Sequence, residues 1–235
     1  MSLIVVLLGL WLGVLPCQDS KPAPAPSEEL VSTACRALEQ AFAAESTSDE
    51  AERAVREASR VVHPKVIALL DTKGLRHRDT KLRTTVIEAL ARMDHPDALA
   101  ALHAALKRDK KELQEAPPLH AALLRAIARH GSPTSIPLLT EDLFQSPDRG
   151  VITARILGLG NIRTKAAVEE LIQIMRSAPR PRVGDFMGEF RLSLVALTGE
   201  DKGTDQELWI NWYGDHRDLH LSIRRQRQMC IRDSS

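Results

Sequence analysis

The chain has 235 residues, 43% of them hydrophobic, so it holds enough apolar material for a core and is not disordered throughout. Only 3% are aromatic, and the composition leans on Ala, Leu, Arg and Glu, which favours helices over a β-sandwich or barrel. The formal charge of +1 gives no global field for nucleic acid or an anionic membrane. Without residues 214–235, which carry five Arg against three Asp, the balance is 27 basic to 28 acidic.

Residues 3–15, LIVVLLGLWLGVL, form an uncharged apolar run of signal-peptide length, too short to span a bilayer. Residues 1–17 are therefore expected to be a removable export signal, and the chain to work in the periplasm or outside the cell, with an uncleaved membrane anchor as the alternative. Cys17 offers a lipid-anchor position, although Pro16 stands where a lipobox wants a small residue. Residues 18–27, rich in Pro and Ala, are expected to be an extended linker. The three cysteines, Cys17, Cys35 and Cys230, are too few and too scattered for a disulfide framework or thiolate metal site. Cys35 is expected to be a small core residue.

Residues 28–48 are expected to form an N-terminal capping helix, with Leu30, Ala34, Leu38 and Phe42 on one face. A repeat follows. The stretch 86–106 aligns without gaps with 123–143, an offset of 37 residues that sets Arg92 over Arg129, Pro96 over Pro133, and Leu99, Leu102 and Leu106 over Ile136, Leu139 and Leu143. A further copy lies 32 residues on, with Ile156, Leu159, Val168, Leu171 and Met175 at matching positions. An earlier one lies 32 residues before, where His63 and Pro64 stand for His95 and Pro96. Each copy is a helix, a turn and a second helix that tolerates Pro in its first turn. Neither helix can bury its stripe alone, so the pairs must stack.

This period, the turn Pro and the Ala/Leu-rich pairs over residues 49–178 resemble HEAT repeats of the short bacterial kind, including those with a turn like Leu157-Gly158-Leu159-Gly160-Asn161. The resemblance implies an all-α, right-handed solenoid of about four helix pairs with capping helices at both ends. It does not fix function, since similar proteins include scaffolds, adaptors, bilin lyases and DNA-repair enzymes.

Residues 179–213 are expected to be C-terminal capping helices. Val183, Phe186, Phe190 and Leu194 form a stripe that Gly199 ends, and Thr204 with Glu207 suggests a capping box for a last helix bearing Trp209 and Trp212. This segment resembles the ending of exported bacterial HEAT-repeat proteins. Residues 214–235 break the periodicity, and from Leu219 they resemble a peptide translated from sequencing-adapter DNA. On that reading the i,i+4 pair His216 and His220 is no metal site, and the cluster Arg224, Arg225 and Arg227 is no nucleic-acid site.

His77-Arg78-Asp79 lacks the partners of a kinase catalytic loop. Gly158 and Gly160 lack the third glycine and the strand of a dinucleotide site, and are expected to let helices approach closely. His63 and His95, at equivalent turns, are expected to be structural; His103, His120 and His130 show no metal spacing. The expected function is a non-catalytic protein-interaction scaffold, with a protein or peptide partner, no nucleic acid, no metal, no cofactor, and a monomeric state. Candidate partner residues are His103, Lys107, Glu141 and Glu170 on the second helices. The Arg180 and Arg182 patch and the aromatic pair Trp209 and Trp212 complete that surface, although the i,i+3 spacing of the tryptophans equally suits a terminal helix that covers the last repeat. Two alternatives stand beside this one: a HEAT-type enzyme of bilin-lyase or DNA-repair kind, and a structural piece of a larger envelope protein.

Overall fold

The computed structural model describes residues 26–43 and 48–216. The expected signal, Cys17, most of the linker, and the tail beyond His216 with His220, Arg224, Arg225, Arg227 and Cys230 lie outside the described residues. Among the described residues all regular structure is helical, and no helix is long and apolar enough to cross a membrane.

The chain opens with α1 (Glu28–Ala41), started by Ser27, whose hydroxyl accepts from the Leu30 N–H. Four helix pairs follow: α2 (Ser48–Ala58) with α3 (Pro64–Leu69), α4 (Thr80–Arg92) with α5 (Pro96–Arg108), α7 (Pro117–Arg129) with α8 (Ile136–Thr140), and α9 (Arg149–Gly160) with α10 (Lys165–Ser177). A short α6 (Lys110–Glu115) stands between the second and third pairs, and α11 (Arg180–Gly184), α12 (Met187–Thr198) and α13 (Gln206–Asp215) close the fold. A π-helical turn (Leu70–Gly74) extends α3, and a 3-10 turn (Pro133–Ser135) leads into α8.

The first helices stack in one row, α2 on α4, α4 on α7, α7 on α9 and α9 on α12, while α1 covers α2 and α3 at the open end. In the second row α3 meets α5, α8 meets α10, and α10 meets α13. Helices α12 and α13 thus continue both rows, which makes the expected C-terminal cap a fifth helix pair. The aligned repeat positions are the core: Ile67, Leu70, Leu102, Leu139, Leu159, Leu171 and Met175 are all at most 2% exposed.

The starts of the second helices show why the repeat holds its register. His63, His95, Ser132 and Thr164 occupy equivalent positions at offsets of 32, 37 and 32 residues, and each is an N-cap. Nδ1 of His63 and of His95 accepts from the N–H of Lys65 and Asp97 at 3.2 Å, and the Ser132 and Thr164 hydroxyls accept from Thr134 and Ala167. The two histidines are therefore structural. Asp79 and Asp148 do the same for α4 and α9. His77-Arg78-Asp79 is accordingly a helix start, in which Asp79 also accepts from the Ser48 hydroxyl at 2.9 Å.

Several local expectations are corrected. Leu30 is 50% exposed, and the buried face of α1 is Val31, Ala34, Leu38 and Ala41, one position around the helix. The Val183 to Leu194 stripe is buried as expected but divided between α11 and α12. Asp205, not Thr204, caps α13, accepting from the Glu207 N–H at 2.9 Å. Leu157 to Gly160 form the last turn of α9 and not the inter-helix turn; Asn161 is the C-cap. Gly199 ends α12 as expected, in the left-handed conformation at φ 76°. Cys35 is half-buried against the core.

Gly160 sets the approach of α9 to α12. A Cβ there would lie 2.8 Å from the Ser193 Cα, a backbone atom, while the Ser193 hydroxyl donates to the Ile156 carbonyl at 2.9 Å. Gly158, facing Ala128 of α7 at 3.1 Å, does the same on the other side. Gly160→Ala is expected to lower stability by roughly 1–3 kcal/mol, because backbone must move. Gly188→Ala in α12, where an added Cβ meets nothing, is expected to leave stability unchanged or raise it by up to about 1 kcal/mol. Urea unfolding of the two variants checks the contrast.

Candidate functional site

The repeat is interrupted once, and the cleft lies at the interruption. The five residues by which the 37-residue offset exceeds 32 fall between α5 and α7, where α6 is built. On the far side α8 is short: it stops at Thr140, and the chain turns through Asp142, the one non-glycine residue with positive φ (52°) among the described residues. The second-helix row is at its loosest between α5 and α8. An inserted helix on one side and a truncated one on the other leave a cleft of about 500 Å3.

Leu106, Leu113, Pro117, Leu138, Pro147 and Val151 form its apolar walls, and Lys107, Lys110, Glu141 and Asp142 its charged rim. Lys110 Nζ lies 3.2 Å from Glu141 and 3.6 Å from Asp142 and bridges the turn after α8. His120 and Arg155 also line the cleft. Arg155, 9% exposed, reaches from α9 to the carbonyls that the early end of α8 leaves without intrahelical partners: its Nη1 donates to Leu138, Leu139 and Glu141 at 2.9, 3.3 and 2.7 Å. Its Nε and the Nε2 of His120 are sealed from water and have no partner. Burial pushes the Arg155 guanidinium below its ordinary range. Burial, helped by the Arg155 charge, brings His120 down to about 4.

The eight expected partner residues separate. Lys107 and Glu141 are exposed at the cleft rim, and Glu170 is partly exposed on α10. Arg180 and Arg182 are exposed on α11, with Arg180 held 2.6 Å from Glu207 of α13. His103 is half-buried, its Nε2 2.9 Å from the Ser135 hydroxyl, and joins the second pair to the third instead of facing solvent. Trp209, 0% exposed, donates its indole N–H to the Gly203 carbonyl at 2.9 Å and offers no surface. Trp212 is 9% exposed, edge-on to Trp209 and stacked on the His216 ring at 5.0 Å. Both tryptophans leave the partner surface, because sealing the last pair consumes them. Tyr213 is tied to α10 through its hydroxyl, 3.0 Å from Glu169. Sequence reasoning set His120 aside as showing no metal spacing and did not reach Arg155; the five-residue excess in the repeat offset was the available signal for the cleft that holds them.

Among the described residues no group of three or more His, Cys, Asp or Glu is placed to hold a metal ion. Family comparison matches residues 111–184 to HEAT repeats and residues 82–108 to the PBS lyase HEAT-like repeat. The protein carries a HEAT-repeat domain. The matched segments run from α4 to α11 and contain every residue lining the cleft except Lys110, and no curated protein matches the chain.

The buried histidines of this domain predict a specific acid sensitivity. Burial lowers His103, His120 and His130; a like charge adds to each, Lys107, Arg155 and Arg129 respectively, while the Leu90 carbonyl partly offsets the shift at His130. The unfolded chain binds protons at these sites from about pH 6.5 downward, whereas folded His120 stays neutral until about 4. The unfolded state then holds more protons, so stability must fall as pH drops through that window. The thermal midpoint is expected to decrease between pH 7 and pH 5 by several degrees. His120→Gln should flatten that slope whatever its effect at pH 7.

Proposed function

We propose that this chain is a non-catalytic protein-interaction scaffold that acts after export, in the cell envelope or outside the cell, and engages a protein or peptide rather than nucleic acid. The observation that carries the reading is the placement of charge. Lys107, Glu141 and Glu170 stand on, or directly after, the second helices of three consecutive pairs, outside the core that the rest of each helix builds. Rows of helices expose such side chains at repeat spacing, which suits recognition by an extended surface.

The cleft carboxylates support binding over turnover. Glu141 and Asp142 share Lys110 at the exposed rim, an environment suited to a surface ion pair rather than to an acid and a base held apart in different surroundings. The α11 arginines extend the charged surface, and Arg182 stands free of the ion pair that engages Arg180.

The test is crosslinked capture from the envelope fraction of the native cells, comparing the native chain with the double variant Lys107→Glu, Glu170→Lys. Both substituted side chains lie outside the core, so the variant should keep its helical content and thermal midpoint. A defined partner retained by the native chain and lost at least about tenfold by the variant is the expected result. Equal capture by both chains would remove these residues from the interface, and recovery of the protein from the cytoplasm with residues 1–17 intact would remove the export step.

A further inference from the structure

We propose that the cleft between α5, α6 and α7 on one side and α8 and α9 on the other is a binding site for a small organic carboxylate with an apolar body. This inference is independent of the scaffold reading and concerns a concave site, not the helix surface.

The first observation is the state of Arg155. It is a cation at 9% exposure that forms no direct ion pair among the described residues, with the Glu141 and Asp142 charges acting on it only from beyond ion-pairing distance. Its Nη1 is fully occupied by three carbonyls, yet its Nε, on the other edge of the guanidinium, has no partner. A buried cation that no carboxylate pairs directly, and a buried N–H without an acceptor, are each costly, and native proteins seldom keep them without a use. The second observation is that His120, on a different helix and lining the same cleft, also has a buried nitrogen without a partner. Two residues with orphaned nitrogens, one from α7 and one from α9, thus line one cavity.

The shape and charge of that cavity define the ligand. About 500 Å3 lies within the ordinary range for small-molecule sites, and the walls are Leu, Pro and Val side chains that reward an apolar body. The rim charges largely cancel, because Lys110 is held by Glu141 and Asp142, which leaves Arg155 and Lys107 to attract an anion. A monoanion fits this balance. A polyanion would meet the Glu141 and Asp142 carboxylates at the rim. In the bound state a turn of the Arg155 and His120 side chains brings Nε–H of one and Nε2–H of the other to the carboxylate oxygens, and the hydrocarbon lies along Leu106, Leu113 and Leu138. The carboxylate is planar and accepts in the direction a guanidinium edge donates, which makes it the matching acceptor.

Isothermal titration of the full chain with octanoate tests the proposal, with octanol and inorganic phosphate as companions. Saturable binding of one octanoate per chain is expected, with octanol and phosphate at least about tenfold weaker. Arg155→Met should reduce octanoate affinity by about tenfold or more. Because that variant removes the cap on α8, Leu138→Trp is the second arm: it fills the cleft from a partly exposed wall and should abolish binding while helical content stays native. The proposal is overturned by any of three results: no saturable octanoate binding up to about 10 mM, octanol binding as tightly as octanoate, or octanoate affinity unchanged in the folded Leu138→Trp chain.

Discussion

The row of first helices is the constraint on which the molecule depends. Helix α7 lies between α4 and α9, and α9 between α7 and α12, so neither can present a single polar face along its length. Their buried residues run almost all round: Leu119, Ala121, Leu123, Leu124, Ala126, Ile127 and Ala128 in α7, and Val151, Ile152, Ala154, Ile156 and Leu159 in α9. Each fully buried Leu or Ile contributes about 1.5–3 kcal/mol, and small residues let the backbones come close enough for the larger ones to interlock. Gly160 against Ser193 is the extreme of that closeness. Because every pair touches only its neighbours, stability is a chain of such interfaces, and a fault in α9 weakens the contacts to both α7 and α12.

Polar contacts decide how the stacked pairs register. Lys81 of α4 bridges back to Asp49 and Glu52 of α2 at 3.0 and 2.8 Å, Arg83 pairs forward with Asp109 and Glu112 across the start of α6, and Arg149 of α9 reaches Glu189 of α12 at 3.0 Å. A pair exposed on both sides, such as Lys81 with Asp49, adds little stability, about 0–1 kcal/mol. Arg83 is different, since it is almost fully buried and depends on both carboxylates; removing either would leave a buried charge short of a partner. It also fixes α6 to α4, so the wall of the cleft is anchored to the core row.

The helix pairs were legible because they are set by local rules: a stripe with period 3.6, a cap at the start, a proline that only the first turn accepts. His63 and His95 are the clearest case, since equivalence in the repeat separates a structural role from a catalytic one, and the structure shows that role to be capping. What could not be read depends on neighbours. Leu30 and Val31 are equally apolar, and only the placement of α2 and α3 decides which is buried. The early end of α8 follows from a turn through Asp142 that composition does not announce. Trp209 and Trp212 would suit a binding surface or a seal equally well, and the last helix pair uses them as the seal. The HEAT resemblance carried the architecture but had nothing to say about His120 and Arg155, which belong to the one place where the repeat departs from itself.

That departure bears on how a repetitive protein becomes specific. Regular repeats present similar side chains at similar spacing. The five extra residues that build α6 and the residues that α8 gives up change one groove only. Because α8 ends early, its terminal carbonyls need a donor, and Arg155 supplies one from the next pair; α6 forms the facing wall of the cleft that this arginine lines. The same two changes that create the cavity therefore also create its unpaired charge. A uniform solenoid would have neither, so chemistry specific to this chain is to be sought at the irregular groove, while the charged second helices on either side supply the broader surface.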